Sequence, residues 1–418
     1  MNYARWETIE NMKNIVPLVS VCGTENIESS GIPMAYDDEN LYIDTRGDHS
    51  LIIGSTGSGK TQTVTLPMLK LACLAGESVV IHDTNNEVYE ETKEMFEDNN
   101  YNIIKLNLDD AIDTNYWNPL YLAKKFYDEG NFDKAYDIIE KLGYYLLNEV
   151  EERNSDPFWI NSAISFFTGI CLYALEREDE INLNTIYDIS EDVRIDSKNI
   201  LDNIDKHSSA YINLSSVLTA PPETKGSIFA VFFQKFKRFI VKQNLRNLLS
   251  KSDFDLTKIS KEKTIVYIKS GKSNISNNLL PLFIDQVYSV KEDNNKLNII
   301  IDDFYSLNPI KDFPKILNNS RSLGITFSIM LRGFNDLKNT YGKEESENLK
   351  LCFSNIIYIL SQDIETLEEI CKLCGNKSQN TPLISIEELK TIDKFEAIIL
   401  IPRIMPFKTK LLPYYEMK

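Results

Sequence analysis

The segment His49–Gln62, with the sequence H-S-L-I-I-G-S-T-G-S-G-K-T-Q, constrains the fold of this chain more than any other feature. Leu51–Ile53 is a short apolar run with β-branched members, which is typical of a buried strand. The next stretch, Gly54–Thr61, matches the pattern G-x-x-x-x-G-K-T, and a helix is predicted over Gln62–Leu74 with a kink at Pro67. Strand, glycine-rich loop and helix in this order predict a phosphate-binding loop in an α/β fold.

The residue types in this loop suit the chemistry of phosphate binding. Glycines let backbone N–H groups close around a phosphate, and the helix N-terminus adds the positive end of its dipole. We expect Lys60 to reach the β- and γ-phosphates and the Thr61 hydroxyl to bind Mg²⁺. The sequence therefore predicts a site for ATP and Mg²⁺. The predicted nucleotide-binding residues are Gly54, Ser55, Thr56, Gly57, Ser58, Gly59, Lys60, Thr61 and Gln62.

A second acidic motif lies far downstream. The apolar run Leu297–Ile301 is a predicted strand, and Asp302 and Asp303 follow it directly. A hydrophobic strand that ends in acids, in a chain with a phosphate loop, is typical of the second half of an ATPase site. Asp302 is expected to hold Mg²⁺ through water or Thr61, and Asp303 to activate the attacking water.

Two more acidic residues follow the predicted strand Ser78–His82. Asp83 and Glu87 stand just past its carboxyl end, where open α/β sheets bind ligands, so both are candidates to sense the triphosphate or its metal. A helix N-cap followed by an acid in the first turn explains the same two residues equally well. The sequence leaves both alternatives open.

Periodicity divides the chain into three segments. Residues 1–117 hold the phosphate loop and further strand patterns, and residues 118–262 are dominated by long helical patterns. Strand patterns resume in residues 263–418 and complete a predicted sheet of seven or eight strands. The predicted architecture is a three-layer α/β nucleotide-binding domain, in two parts, interrupted by an all-α insertion.

Composition narrows the function classes. The net charge is −17, from 45 basic and 62 acidic side chains, which disfavours a surface that coats nucleic acid and restricts any DNA contact to a local region. The uncharged segment Phe158–Leu175 contains several polar residues and is predicted to be a core helix rather than a membrane span. Cys371 and Cys374 form an isolated C-x-x-C pair, so no zinc site is predicted.

Several landmarks together resemble the coupling ATPases of conjugative type IV secretion (TraG-like), within the FtsK-like ring-forming P-loop ATPases. The phosphate loop resembles the family's first nucleotide motif, and S-V-V-I-H-D-T-N-N-E-V-Y at residues 78–89 resembles the signature that follows it. Further landmarks occur in the family's order and extend to about residue 415. They are Asn118-Pro119-Leu120, Asp156-Pro157-Phe158-Trp159, Ala220-Pro221-Pro222-Glu223-Thr224, Ser252-Asp253-Phe254-Asp255-Leu256, Arg321-Ser322-Leu323-Gly324-Ile325, Tyr341-Gly342 and Pro413-Tyr414-Tyr415.

The resemblance implies a RecA-like ATPase domain and a hexameric motor at the cytoplasmic mouth of a secretion channel. Members of the family recruit a relaxase-bound single DNA strand, or effector proteins, and use ATP hydrolysis to drive transfer. Arg321 occupies the family's position for an arginine that completes the neighbouring subunit's site, and such a residue stabilises charge on the transferring phosphoryl group. A surface helix arginine would look the same in sequence.

Four departures from the family pattern affect the expected activity. Asp303 replaces the family's glutamate, and the shorter reach predicts that Asp303→Glu would raise turnover. Arg332 stands where the family has a glutamine that senses hydrolysis, and Thr84-Asn85-Asn86 replaces Pro-Lys-Gly. No counterpart of the family's N-terminal spanning helices is present. A secretion-channel or membrane-anchor partner is therefore expected to hold the protein at the inner face of the cell membrane.

These observations leave alternatives open. The leading hypothesis is an ATP-dependent translocation motor of a conjugation system, with DNA as the favoured cargo. The departures at Asp303 and Arg332 also fit a nucleotide-binding scaffold or docking platform that hydrolyses ATP slowly or never. A third hypothesis is a related ring ATPase for phage packaging or defence.

Overall fold

The computed structural model describes residues 3–21, 26–37, 40–148, 156–271, 273–292 and 294–417. Its strands are β1 Leu18–Val21, β2 Ile32–Asp37, β3 Asn40–Asp44, β4 Ser50–Gly54, β5 Ser78–His82, β6 Asn102–Asn107, β7 Thr264–Lys269, β8 Leu297–Ile301, β9 Ile325–Leu331, β10 Asn355–Leu360, β11 Asn376–Ser378, β12 Thr381–Pro382, β13 Glu396–Leu400 and β14 Phe407–Lys410.

The helices of the described residues alternate with these strands, except in one long run without strands. They are α1 Ile9–Ile15, α2 Leu66–Ala75, α3 Glu87–Asp98, α4 Tyr121–Asp128, α5 Phe132–Leu147, α6 Pro157–Leu175, α7 Leu183–Ile195, α8 Ser197–Asp202, α9 Ser209–Leu218, α10 Pro222–Phe236, α11 Arg238–Val241, α12 Gln243–Leu248, α13 Asn274–Ser289, α14 Phe313–Ser320, α15 Phe334–Tyr341, α16 Lys343–Leu351, α17 Ile364–Cys374 and α18 Ile386–Lys390.

The chain divides into two compact units. The first contains residues 1–104, 257–269 and 291–418, and the second contains residues 105–256 and 270–290. These boundaries differ from the predicted segments, chiefly because α13 belongs to the helical unit although it follows strand β7. Its buried Leu279 and Phe283 explain this, since Phe283 packs edge to face against Trp117, with ring centroids 5.2 Å apart.

A mixed sheet organises the first unit. Within the described ranges, nine strands lie in the order β14-β13-β10-β4-β9-β8-β5-β7-β6, one or two more than the sequence predicts. The strands β10, β4, β9, β8, β5 and β7 run parallel. Beside β10, β13 runs in the opposite direction, and β14 pairs antiparallel with β13. The α/β prediction is therefore confirmed, and β4, which leads into the phosphate loop, lies inside the parallel part.

Helices cover both faces of this sheet, as a three-layer fold requires. On one face, Met68 and Leu69 of α2 and Phe96 of α3 join a core with sheet residues that include Ile52, Ile81, Ile300 and Met330. On the other face, Phe313 of α14 packs edge to face on Phe327 of β9, with ring centroids 5.5 Å apart. Because β4 is buried along its whole length, its apolar run is explained by burial on both faces.

The helical unit forms its own core around α6. This helix packs against α5, α9 and α10, and Phe166, Phe167 and Ile170 are fully buried. Within the described residues, α6 alone is long and apolar enough to cross a membrane by length and composition, and 56% of the window that meets this test is buried. A buried core helix passes the same test, so its packing agrees with the predicted core helix.

Candidate nucleotide-binding site

The phosphate loop follows β4 and is shaped by contacts that exclude side chains at Gly54. A Cβ atom there would lie 2.5 Å from the Ser58 Oγ and 2.6 Å from the Lys60 Cγ, which is closer than Cβ contacts occur. Gly57 and Gly59 adopt φ values of 77° and 97°, in the left-handed region that favours glycine. Both glycines of the pattern, and Gly57 between them, therefore have a steric or backbone reason to be glycine.

The helix after the loop begins with one π turn, Thr61–Thr65, before α2 continues as an α-helix. Single π turns of this kind often occur at functional sites. Pro67 lies in the first turn of α2. Pro67 thus follows a change of helix type, and its missing N–H falls in the first turn of α2, where it is tolerated.

Lys60 is the buried cation of this loop. Its Nζ donates to the carbonyl oxygen of Gly54 at 2.6 Å and to that of Ser55 at 3.3 Å, so the ammonium lies against its own loop. Burial lowers the pKa of Lys60, while the nearby carboxylates of Asp302 and Asp303 act in the opposite direction. An anionic ligand in the cavity would stabilise the charged form of this lysine.

Asp302 and Asp303 lie at the carboxyl ends of the parallel strands, as the phosphate loop does. The pairing Ile301–Ile329 of β8 with β9, and Ile53–Leu331 of β9 with β4, puts the carboxyl ends of these strands side by side. Burial, and then the neighbouring charge of Asp303, raise the pKa of Asp302, against the opposing effect of Lys60. Because burial disfavours the charged form of Asp302, a bound cation would stabilise its carboxylate.

The backbone at Asp303 is left-handed, with φ 49° and ψ 44°, and this residue begins a short 3₁₀ turn at Phe304–Ser306. The Asp302 carboxylate accepts a hydrogen bond of 2.9 Å from the Asp303 N–H. Ser306 Oγ donates to the Asp303 carbonyl at 2.9 Å. Asp303 is thus held in a turn, while its side chain lines the cavity.

Asp83 is buried at the carboxyl end of β5 and accepts a hydrogen bond of 2.9 Å from the Tyr89 N–H, in the first turn of α3. Asp83 thus supports the start of α3, as the helix-start alternative expects, although the N-cap residue itself is Asn86. Burial raises the pKa of Asp83. Asp83 and Glu87 also line the cavity, so both also meet the geometric condition for contact with a ligand.

Arg332, at the end of β9, is already paired. Its guanidinium binds the buried Asp336 with an N–O distance of 2.7 Å and lies 3.5 Å from the ring centroid of Tyr305. The hydrogen bond to Asp336 raises the pKa of Arg332. Tyr305 lines the cavity, so Arg332 adjoins the site through this ring.

Arg321 lies at the amino ends of the parallel strands, opposite the phosphate loop. It precedes β9, its side chain is 61% exposed, and it pairs with Asp48 at 3.0 Å, just before β4 begins. A five-residue strand spans about 17 Å, so the length of β4 separates this pair from the phosphate loop. The structure therefore does not bring Arg321 to the site of its own chain.

A cavity of about 610 Å³ is lined by the remaining predicted residues except Gly54, which is the last residue of β4. Its size is within the usual range of small-molecule sites. It is lined by Ser55 to Gln62, Asp83, Glu87, Asp302 and Asp303, together with residues that the sequence analysis did not single out as site residues. These additional residues are Thr84, Asn85, Val88, Tyr305, Lys394, Phe395 and Tyr415. A tyrosine two residues beyond the acidic pair was a usable signal; nothing local marked Lys394 or Phe395.

The lining fits a nucleoside triphosphate with Mg²⁺. Among the described residues, Ser58 Oγ and Thr84 Oγ1 are buried without a hydrogen-bond partner, so the cavity offers unused polar groups. The described ranges hold no cluster of three or more His, Cys, Asp or Glu side chains arranged for a metal. Mg²⁺ is commonly bound by one or two protein groups together with substrate phosphates, and Thr61 and Asp302 both line the cavity.

The sheet order, the phosphate loop and the paired acids define a RecA-like P-loop ATPase fold with an all-α unit. The chain matches the family model for "Type IV secretory system Conjugative DNA transfer" over residues 5–386. It belongs to this family. Comparison with curated protein sequences gave no significant match.

Solved structures agree with this fold. The plasmid coupling protein TrwB, in complex with the non-hydrolysable ATP analogue ADPNP, has a TM-score of 0.70 and 14% identity; the match covers 100% of this chain and 94% of TrwB. TrwB in complex with ADP and Mg²⁺ has a TM-score of 0.69 and 14% identity, with the same coverage of both chains. VirB4 of Thermoanaerobacter pseudethanolicus has a TM-score of 0.62 and 12% identity; the match covers 94% of this chain and 99% of the VirB4 chain. At these identities, the similarity establishes the fold.

Proposed function

We propose that this protein is the ATP-driven motor of a conjugative DNA transfer system. The observation that carries the proposal is one cavity lined by Lys60, Thr61, Asp302 and Asp303, in a chain of the conjugative DNA transfer family. Structures of the similar protein TrwB contain an ATP analogue, or ADP with Mg²⁺. ATP and Mg²⁺ are accordingly the ligands that we assign to this cavity.

The side chains divide the work of hydrolysis among them. Lys60 exchanges its contacts with the Gly54 and Ser55 carbonyls for phosphate oxygens, and the loop's backbone surrounds the phosphate chain. Thr61 and Asp302 would hold Mg²⁺, and the ion would supply positive charge beside the phosphoryl oxygens. Asp303 orients and deprotonates the attacking water.

Two further groups respond to the nucleotide in this proposal. Arg332 receives the signal through the Tyr305 ring on which it lies, rather than by direct contact with phosphate. Asp83 and Glu87 flank the cavity beside the start of α3, and there they sense the triphosphate or its metal. Arg321, exposed and remote from its own cavity, completes the site of a neighbouring subunit in a homo-hexamer.

We assign single-stranded DNA, or a relaxase–DNA complex, as the cargo. The support for this choice is the family to which the chain belongs. The net charge of −17 restricts the DNA contact to a local region of the surface. A secretion-channel or membrane-anchor protein is the other partner. The motor then works in the cytoplasm, at the inner face of the membrane.

A catalytically weak scaffold is the second candidate function. It is favoured by the short Asp303 side chain and by the pairing of Arg332 with Asp336, because a paired arginine is less available to follow phosphate release. A scaffold would bind ATP without DNA-stimulated turnover. Turnover therefore separates the two functions.

Calorimetry of ATP binding, with Mg²⁺ and with EDTA, tests the assigned site. We expect Lys60→Ala to abolish ATP binding, and Thr61→Ala to remove most of the difference between Mg²⁺ and EDTA. Lys93→Ala is the matched control, since Lys93 is an exposed lysine of α3 paired with Glu97 and does not line the cavity. Unchanged ATP affinity in Lys60→Ala would refute the assignment of the site.

A further inference from the structure

The direction of strand β13 places the residues just before it at the carboxyl ends of the parallel strands, where the phosphate loop lies. β13 runs antiparallel to β10, with Leu400 paired to Ile356, so its first residue lies at the carboxyl end of the parallel strands. β14 runs back beside it, with Lys410 paired to Glu396, and the chain after β14 returns to the same edge. The residues just before β13 and just after β14 therefore border the cavity.

Phe395, the residue before β13, is held in an unusual conformation beside the loop. Its φ is 68°, in the left-handed region that a bulky residue rarely adopts. Its backbone carbonyl accepts a hydrogen bond of 2.9 Å from Leu411 N–H, which ties it to the segment after β14. Backbone strain of this kind is often retained where it aims a side chain at a site.

The strained backbone directs the Phe395 ring at the phosphate loop. A Cβ atom built on Gly59 would lie 3.6 Å from two ring carbons of Phe395, which is ordinary van der Waals contact. The Lys394 ammonium lies 4.7 Å from the centroid of the same ring, and the Tyr415 ring lies edge to face with it at 6.4 Å. All three side chains line the cavity, and Tyr415 is 64% exposed.

We propose that Phe395 and Tyr415 form the nucleoside subsite of this cavity, where they stack on the base of the bound triphosphate. The inference rests on the proposed function, because it takes the phosphate loop as the site of the phosphates. The cavity then has two chemically different ends: backbone N–H groups, Lys60 and carboxylates bind the phosphates and metal, and aromatic rings receive the base. Lys394 fixes the Phe395 ring from one face and adds positive charge beside an anionic ligand.

Stacking predicts a particular specificity. Every base has a π-face, so binding by aromatic rings tolerates different bases and favours those that stack most strongly. Discrimination between ATP and GTP at this subsite is therefore weak, and both purine triphosphates bind more tightly than CTP or UTP.

The test compares two ligands that share the phosphate chain. ATP carries the base, and inorganic tripolyphosphate does not; both are titrated into the full chain in the presence of Mg²⁺. Phe395→Asn removes the ring while keeping a residue that tolerates the left-handed backbone, so the fold is preserved. Tyr415→Ala changes an exposed residue of the final turn and serves as the second variant. Phe132→Asn, an exposed phenylalanine of α5, is the matched control.

We expect Phe395→Asn to weaken ATP binding about tenfold and Tyr415→Ala to weaken it by a smaller factor, with tripolyphosphate affinity unchanged. Equal weakening of both ligands, or no change in ATP affinity in either variant, would overturn the nucleoside subsite. If the unmodified protein bound neither ATP nor tripolyphosphate, the proposed function itself would fail. The two failures are therefore distinguishable.

Discussion

The residue whose identity and backbone constrain each other most closely is Asp303. Its φ of 49° lies in the left-handed region, where aspartate and asparagine are several-fold enriched over other residues that carry a Cβ. The sequence alone predicts that Asp303→Glu would raise turnover by restoring reach. The left-handed turn reverses this expectation, since the local backbone matches the shorter side chain.

Substitutions at Asp303 test this argument. Asp303→Asn keeps the backbone preference and removes the carboxylate, so we expect ATP affinity to be retained and turnover to fall by about 10²–10⁴-fold. Asp303→Glu is expected to lower the melting temperature relative to Asp303→Asn and to give no gain in turnover. Single-turnover hydrolysis and thermal denaturation measure both effects. A faster Asp303→Glu enzyme would contradict the account of this turn.

At the scale of elements, His49 joins the start of β4 to α14 and β9. Its Nδ1 accepts a hydrogen bond of 3.0 Å from the Phe327 N–H, so the proton resides on Nε2, which donates to the Leu317 carbonyl at 2.8 Å. Burial lowers the pKa of His49 below the ordinary value of 6.5. Protonation of Nδ1 would break the contact with Phe327.

This geometry predicts a pH dependence of stability. The folded pKa of His49 is lower than the unfolded one, so below about pH 6.5 the unfolded chain binds a proton that the folded chain does not. The contribution of His49 to the free energy of unfolding is thus fully present above about pH 6.5. Below that pH, this contribution falls by up to about 1.4 kcal/mol per pH unit. Urea denaturation between pH 5 and 8 measures the slope. An unchanged slope in His49→Gln would show that other groups cause it.

Two helix glycines in the helical unit should respond oppositely to alanine. Gly226 in α10 is exposed, and a Cβ there would meet nothing within 4 Å, so Gly226→Ala is expected to stabilise the protein by about 1 kcal/mol. In α6, a Cβ on Gly169 would lie 2.7 Å from the Leu214 Cγ, and Gly169→Ala is expected to destabilise it. Equal effects in thermal unfolding would contradict the packing of α6 on α9.

Elements that carry strong local signals were predictable. The strand β4, the glycine loop and the acids after β8 each combine an apolar run with a marked change of residue type, and parallel strands bring their carboxyl ends together. Phe395 was not predictable, because its position depends on the antiparallel pairing of β13 with β10 and on a left-handed backbone. The return of α13 to the helical unit likewise depends on packing between residues far apart in sequence.

At the scale of the whole molecule, Arg321 is the residue that tests whether a neighbouring subunit completes the nucleotide site. It lies with Asp48 at the amino ends of the strands and is exposed. We expect Arg321→Ala to bind ATP normally and to lose about 10³–10⁵-fold in turnover, as for arginines supplied in trans. Activity should reappear when Arg321→Ala chains are mixed with Lys60→Ala chains, since each provides what the other lacks. Full turnover by Arg321→Ala alone would show that Arg321 is a surface residue without a role in hydrolysis.

The most direct test of the motor is the steady-state ATPase rate of the purified protein, with and without single-stranded DNA, beside Lys60→Ala and the control Lys93→Ala. We predict turnover that DNA stimulates, that Lys60→Ala abolishes and that Lys93→Ala preserves. Tight ATP binding without turnover, at any DNA or protein concentration, would contradict the motor and favour the scaffold.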